Sequence, residues 1–332
     1  MPLETMVIAG SGPAGLTAAV YAARAGIDPL VLEGDVPGGQ LTVSEAVENY
    51  PGCAEALPGT ELMTRFRKQA RRFGVRFRPG LIRSVAKAGG HYDLQAGDEV
   101  VGARTLIIAT GAQARRLGVP GEAEYYGRGV SGCAVCDGSF FEGGTVVVVG
   151  GGNTAMHDAR YLARVAKRVI VVHRREHFRA DACEVESARG NCRIEWLVPY
   201  VVEQVLGEGA VSGLMVRDSR TGAARRLACD GVFVAIGHDP RTEAFRSLVE
   251  THSGGYIRVA ANSTCTSAPG VFACGDVCDA VYRQAAVAAT GAYNPASVHV
   301  RLFAEGEDAT AETVTAWKMK TIYEGDTVYK CK

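Results

Sequence analysis

Cys133 and Cys136 are separated by two residues and are followed at once by Asp137. Cys-x-x-Cys spacing keeps both sulfurs within bonding reach, lets one resolve the other, and lowers the pKa of the nucleophile. The chain holds ten cysteines, and no other two share this spacing. In a reducing compartment such a lone pair reads as redox-active rather than structural. Zinc would require two more ligands at matching spacing. Cys274 and Cys278 are the nearest candidates, but they flank Gly275-Asp276, which a different pattern explains. Asp137 stands where it can relay a proton to a departing thiolate. The bland alternative is a helix N-cap or turn acid.

Two glycine-rich stretches offer a second chemistry. Gly10-Ser11-Gly12-Pro13-Ala14-Gly15 and Gly150-Gly151-Gly152-Asn153-Thr154-Ala155 each follow a short apolar run. Such glycines permit a tight turn and close backbone approach to a pyrophosphate, and the helix that follows supplies free N–H groups and a positive dipole. In the first unit residues 6–9 read as a buried parallel strand and residues 16–25 as a helix ended by Gly26. Leu30-Val31-Leu32 is the next strand, closed by Glu33, whose carboxylate suits a ribose hydroxyl. In the second unit residues 146–149, 154–163 and 169–172 repeat strand, helix and strand. The last of these ends without an acid and runs into His173-Arg174-Arg175, then Arg179. Guanidinium groups there match a 2′-phosphate in charge and forked geometry, so NADPH is expected over NADH. A solvated basic turn is the alternative. His173 and His177 are four apart, a spacing that serves metals on a helix, but the surrounding arginines argue against a cation. His173 is expected to line the dinucleotide site and His177 to lie on the surface. Two nucleotide sites and a dithiol imply electrons passing from one dinucleotide to another and on to a disulfide.

These elements need a scaffold. A length of 332 residues suggests two domains, and 47% hydrophobic with 22% charged residues is an ordinary composition able to bury a core. The formal net charge is zero, which gives no reason to expect nucleic acid or an anionic membrane as partner. No apolar run reaches the roughly 18 residues needed to span a bilayer. Met1 leads almost directly into an apolar strand and leaves no room for a signal peptide, so the cytoplasm is the expected location. Residues 106–111 form a strand ending in a small-residue turn, residues 232–237 echo it, and residues 271–276 return to the first pattern. The second domain is therefore expected to be inserted into the first, with crossings near residues 113–118 and 238–242. The fold class is α/β, with two Rossmann-like dinucleotide-binding domains. The expected divisions are residues 1–115 and 242–306 for the outer domain, 116–241 for the insert, and 307–332 for a C-terminal extension.

At this point the chain resembles the bacterial-type, low-molecular-weight thioredoxin reductases. The shared motifs are the two glycine loops, Gly38-Gly39-Gln40-Leu41, Val47-Glu48-Asn49-Tyr50-Pro51-Gly52, Ala109-Thr110-Gly111, the Cys133-to-Asp137 segment, His173 to Ala180, Gly275-Asp276-Val277 and Tyr282-Arg283-Gln284-Ala285. The resemblance implies an outer domain that binds FAD, an inserted domain that binds NADPH, and a homodimer that reduces a small thioredoxin or thioredoxin-like protein. It also implies that the NADPH domain swings, so that flavin meets nicotinamide and disulfide in turn. FAD would be held by Gly10, Ser11, Gly12, Pro13, Ala14, Gly15, Glu33, Gly39, Gln40, Asn49, Val85, Ala109, Thr110, Gly111, Gly275, Asp276, Arg283, Gln284 and Ala285, with Asp276 on the ribityl chain. NADPH would be held by Gly150, Gly152, Asn153, Thr154, His173, Arg174, Arg175 and Arg179. Cys136 would lie next to the flavin ring and Cys133 would attack thioredoxin. Asp137 would serve as proton relay, to the flavin or to the departing thiolate.

Three features depart from that pattern. Tyr293-Asn294-Pro295 interrupts a stretch where the family has a small-residue helix, and proline inside a helix costs about 3 kcal/mol. The chain continues past the family's usual end with Trp317, Tyr323, Tyr329 and Cys331. That tail reads as surface or added dimer contact, with a flavin cover as the sharper alternative. The remaining cysteines, Cys53, Cys183, Cys192, Cys229, Cys265, Cys274 and Cys278, are expected to be buried small apolar residues. A flavin dithiol oxidase or a ferredoxin-linked reductase would keep the same fold and dithiol. The intact second glycine loop and its arginines argue against losing NADPH. A flavin-holding redox sensor without turnover is a further reading, weighed against by the complete Cys-x-x-Cys-Asp.

Overall fold

The computed structural model describes residues 3–261 and 263–291. The chain forms two compact units, an outer one of residues up to Gln113 and from Pro240 onward, and an inner one of Ala114–Asp239. An α/β unit is thus inserted within another. The divisions fall at 113/114 and 239/240, against 115/116 and 241/242 read from the sequence. Strands β7 (Ala112–Ala114) and β16 (His238–Pro240) carry the two crossings. Tyr293, Asn294, Pro295 and residues 307–332 lie outside the described residues.

The outer unit is built on β1 (Leu3–Ala9), β2 (Pro29–Leu32), β3 (Arg76–Arg78), β4 (Ile82–Ala88), β5 (His91–Ala96), β6 (Glu99–Ile108) and β17 (Val271–Ala273). They form one sheet in the order β3-β2-β1-β6-β5-β4. Strand β6 shares its outer edge, with Glu99–Ala103 against β5 and Leu106–Ile108 against β17. Pairings among β3, β2, β1, β6 and β17 are parallel. Helix α1 (Pro13–Arg24) starts at the proline rather than at Leu16, because a proline at the first helical position loses no hydrogen bond. It stops where Gly26 takes a left-handed φ of 83°, with Gly26 and Ile27 N–H groups closing onto Ala23 and Ala22. Helices α2 (Gly59–Arg72) and α6 (Ala285–Gly291) pack against α1. The period-2 alternation of β1 divides the core. Met6 and Ile8 face Ala18 and Ala22 of α1, and Val7 and Ala9 face Tyr92, Leu94 and Phe245.

The inner unit repeats the plan. Strands β8 (Val130–Ser131), β9 (Thr145–Val149), β10 (Arg168–Val172), β11 (Ile194–Leu197) and β15 (Gly231–Val234) form a parallel sheet in the order β11-β10-β9-β15-β8. Helices α4 (Asn153–Leu162) and α5 (Ala182–Arg189) cover one face, and the antiparallel strands β12 (Tyr200–Glu208), β13 (Ala210–Asp218) and β14 (Ala224–Ala228) cover the other. Val146 and Val148 meet Ala155 and Ala159, while Val147 and Val149 meet Val205, Leu214 and Val216. Burial on both faces explains the uninterrupted valine run of β9.

The cysteine expectation needs correction. Cys183 and Cys192 are exposed, the first on the outward side of short helix α5 and the second just beyond its end. Cys53 and Cys278 are half-buried, and Cys229, Cys265 and Cys274 are buried as read. Burial pushes the Cys229 and Cys278 thiols up to about 12, which leaves them poor nucleophiles.

Candidate redox and nucleotide sites

The first glycine loop leaves β1 at Gly10, whose φ is 109°. A Cβ at Gly10 would stand 2.4 Å from the Ala109 carbonyl oxygen, and one at Gly15 would stand 2.0 Å from that of Gly10. Both glycines are demanded by backbone approach. Gly12 is different, because a Cβ there would meet nothing nearer than 3.9 Å. Gly12 is the N-cap of α1, with no side-chain cap and no acid in the first turn. This open cradle with free N–H groups fits a pyrophosphate. Ser11 ties three segments together, donating to the Glu33 carbonyl at 3.1 Å and accepting from Gly38 N–H at 3.0 Å. Gly39 lies against the loop, its Cβ position 3.2 Å from Gly12 Cα, and Gln40 beside it is exposed. The Glu33 carboxylate is forked by Arg67, whose guanidinium lies over Phe77 at 4.5 Å. The Arg67 partnership has no signal in local spacing. Val85 is buried in β4 opposite Leu94.

Distant residues complete this end of the outer unit. Asn49 Nδ2 donates to Gln284 Oε1 at 3.3 Å across 235 positions. Thr110 Oγ1 donates to the Arg241 carbonyl at 2.6 Å, beside Ala109 and the left-handed Gly111. Gly275 has a φ of 77°, and a Cβ on it would be 2.8 Å from Ala14 Cβ, so only glycine lets Asp276 come up to α1. Asp279 accepts from the N–H groups of Val281, Tyr282 and Arg283, a turn that leaves Arg283 at φ 49° just before Gln284 and Ala285. Burial pushes the Asp276 carboxyl up to about 6, with Asp279 adding to the rise and Arg283 opposing it.

That shift has a measurable consequence. A carboxyl whose pKa rises on folding binds its proton more tightly in the native chain. Its stabilising share is complete below its unfolded value of 3.8 and is lost as pH climbs through about 6. In the chain without bound nucleotide Asp276→Asn should add roughly 1–3 kcal/mol near pH 7.5, with the gain shrinking toward zero as pH falls toward 4. Urea unfolding across that range checks it, and a pH-independent gain would count against burial as the cause.

The second loop follows the same logic. A Cβ at Gly150 would stand 2.3 Å from the Ala235 carbonyl oxygen, one at Gly151 would strike the His173 ring at 2.3 Å, and one at Gly152 would meet nothing within 4 Å. Gly152 caps α4, again without a side-chain cap or an acid in the first turn, which holds Asn153 and Thr154. Arg174, Arg175 and Arg179 are exposed, and among the described residues none has a carboxylate in ion-pair range. Arg160, Arg168 and Arg217 of the same unit are each paired with a glutamate. His173 is buried, its ring stacked on Phe178 at 5.0 Å and its Nε2 3.1 Å from the His177 carbonyl oxygen. Burial pulls its pKa down, which favours the neutral ring, and Nε2 faces a carbonyl oxygen, the side on which a ring proton can be donated. The His177 side chain is exposed.

Cys133 and Cys136 form a disulfide. The four-residue helix α3 (Ala134–Asp137) starts at Cys133, and Cys133 Sγ accepts from the Cys136 N–H at 3.2 Å. A reduced Cys133 would meet a hydrogen-bond donor there. Buried Ser131 accepts the Cys133 N–H at 3.0 Å. Asp137 makes no cap bond to the turn that follows it. Burial raises its carboxyl, with a bond to Ser131 opposing, so it holds a proton more readily than an ordinary aspartate. Val135, between the two cysteines, and Phe140, four residues after Cys136, have 52% and 51% of their surfaces exposed. Sequence reasoning missed both, because apolar residues in so short a segment look like core.

With this geometry in place, comparison defines a class. A profile of the pyridine nucleotide-disulphide oxidoreductases matches residues 4–292, and the chain belongs to that family. Family membership implies use of a flavin and a nicotinamide nucleotide. The thioredoxin reductase of Mycolicibacterium smegmatis is 48% identical over 287 residues, covering 86% of this chain and 92% of that protein. The bifunctional thioredoxin reductase/thioredoxin of Mycobacterium leprae is 43% identical over 314 residues, covering 94% of this chain and 69% of its own length. The crystal structure of thioredoxin reductase from Streptococcus pyogenes superposes with a TM-score of 0.85 at 38% identity, covering 92% of this chain and 99% of that one. Within its class the chain belongs to the thioredoxin reductases. Among the described residues no helix is long and apolar enough to cross a membrane.

Proposed function

We propose that the chain carries two electrons from NADPH, by way of FAD in the outer unit, to the Cys133–Cys136 disulfide and on to the disulfide of a thioredoxin. The observation that carries this is one chain with a Cys-x-x-Cys disulfide and two glycine cradles without side-chain caps, the second bordered by three arginines with no carboxylate in ion-pair range among the described residues. Family membership and the reductase names of the relatives support it, and the M. leprae relative carries a thioredoxin in the same chain by its name.

Gly12 and Ser11 with the Asp276 and Asn49–Gln284 groups would hold FAD, and Gly152, Asn153 and the arginines would hold NADPH. FAD bound there supplies a two-electron carrier between a hydride donor and a disulfide. The protein groups do the rest. The Cys133 thiolate attacks one sulfur of the partner disulfide, forming a mixed disulfide and releasing the partner's other sulfur as a thiolate. Cys136 then attacks Cys133, restoring the internal disulfide and releasing the second partner sulfur. Asp137, protonated more readily than usual, gives its proton to a leaving sulfur. Exposed Val135 and Phe140 offer an apolar rim for the partner.

Anaerobic mixing of the yellow protein with NADPH tests the donor. Rapid bleaching of the flavin band, much slower with NADH, is expected. A flavin that dithionite reduces but NADPH does not would reject the reading.

A further inference from the structure

Asp181 occupies the N-cap position of α5, where an aspartate ordinarily accepts from its own helix's first N–H groups. Its side chain makes no such bond. Its carboxylate accepts from Asn153 Nδ2 at 2.8 Å, and its backbone N–H donates to Asn153 Oδ1 at 2.8 Å. Asn153 opens α4, directly after the open Gly152. Just upstream of Asp181, the N–H groups of Arg179 and Ala180 both donate to the Gly151 carbonyl, at 2.8 and 3.1 Å. The other end of the segment is held by His173, stacked on Phe178 and bonded to the His177 carbonyl. Residues 174–181 are therefore a strap pinned across the second glycine loop, and Arg174, Arg175 and Arg179 ride on it.

We propose that Asp181 is a positioning residue for coenzyme specificity, its reciprocal pair with Asn153 fixing the strap so that the three guanidiniums stand where a 2′-phosphate is read. This rests on the NADPH reading above. A long arginine side chain reaches a monoester only from a suitable backbone origin, and the Asn153 clamp sets that origin relative to the turn that takes the pyrophosphate. Charge alone works the other way. A carboxylate close to a phosphate repels it, so removing Asp181 without moving the strap would strengthen NADP⁺ binding.

The opposite signs make the test decisive. Oxidised flavoprotein is titrated calorimetrically with NADP⁺ and with NAD⁺, as wild type, Asp181→Ala and Asp181→Asn. Asp181→Ala should weaken NADP⁺ about five- to tenfold, the worth of one charge-assisted hydrogen bond, and leave NAD⁺ within about twofold. Asp181→Asn keeps an oxygen acceptor for Asn153 and should retain most of the wild-type preference. Unchanged NAD⁺ affinity also shows that the exposed substitution leaves the unit folded. Asp181→Ala binding NADP⁺ as tightly as wild type or tighter would overturn the proposal, as would equal losses for both nucleotides. A wild type without preference would refute the NADPH reading before any variant is compared, and this inference with it.

Discussion

Cys136→Ser should leave a yellow protein that NADPH still bleaches but that fails to reduce thioredoxin, with turnover down by roughly 10³-fold or more. Cys133→Ser should match it. Neither sulfur can be replaced by oxygen, because the electrons leave through a bond that must form and break between two sulfurs. Neither change should disturb flavin reduction, since both glycine cradles are built from other residues. The helix α3 turn also survives, because serine is a good N-cap at position 133. The measurements are stopped-flow flavin absorbance and thioredoxin-coupled turnover on the same preparations. Residual turnover within tenfold of wild type in either variant would show that another thiol carries the exchange. Exposed Cys183 and Cys192 would then be the first to examine.

The second large effect separates two glycines three positions apart. Gly12→Asp should fold and be colourless. The extended backbone of Gly12, with φ −71° and ψ −175°, accepts any residue, and the space for a Cβ is open. An aspartate there is a strong N-cap for α1 and should raise the stability of the flavin-free chain by about 1 kcal/mol. The same carboxylate would occupy the space proposed for the pyrophosphate and repel it, so bound flavin should fall below about a tenth of wild type. Gly15→Ala should do the reverse damage. Its Cβ would sit 2.0 Å from the Gly10 carbonyl oxygen, so the helix must move off the strand, at a cost of roughly 3 kcal/mol or more. Flavin absorbance per chain and thermal unfolding distinguish the two. A Gly12→Asp protein with full flavin would remove the pyrophosphate from this loop.

Much of this molecule was legible locally. The strand–glycine–helix units, the redox pair and the arginine-bearing turn all depend on spacings within about 30 residues, and backbone sterics act at that range. The proline start of α1 and the Gly26 stop are local chemistry too. The departures lie where a residue's meaning depends on what packs beside it. Cys183 and Cys192 read as buried because cysteine usually is, yet one lies on the outward side of α5 and the other in the turn beyond it, and both are exposed. Asp181 looks like a helix cap and is instead half of a clamp 28 positions away. Arg67 looks like a solvated helix residue and instead forks the Glu33 that ends β2.

The sequence by itself determined the two nucleotide-loop units and the dithiol, because glycine placement, strand periodicity and Cys-x-x-Cys spacing are conditions a chain segment meets alone. Only the tertiary structure decided the partners. Asn49 meets Gln284, Gly275 meets Ala14, and Ser11 joins Glu33 to Gly38. Such contacts arise when parallel strands distant in sequence are laid side by side, and the side chains that then face one another are set by sheet order and register. No periodicity within a single segment encodes that order.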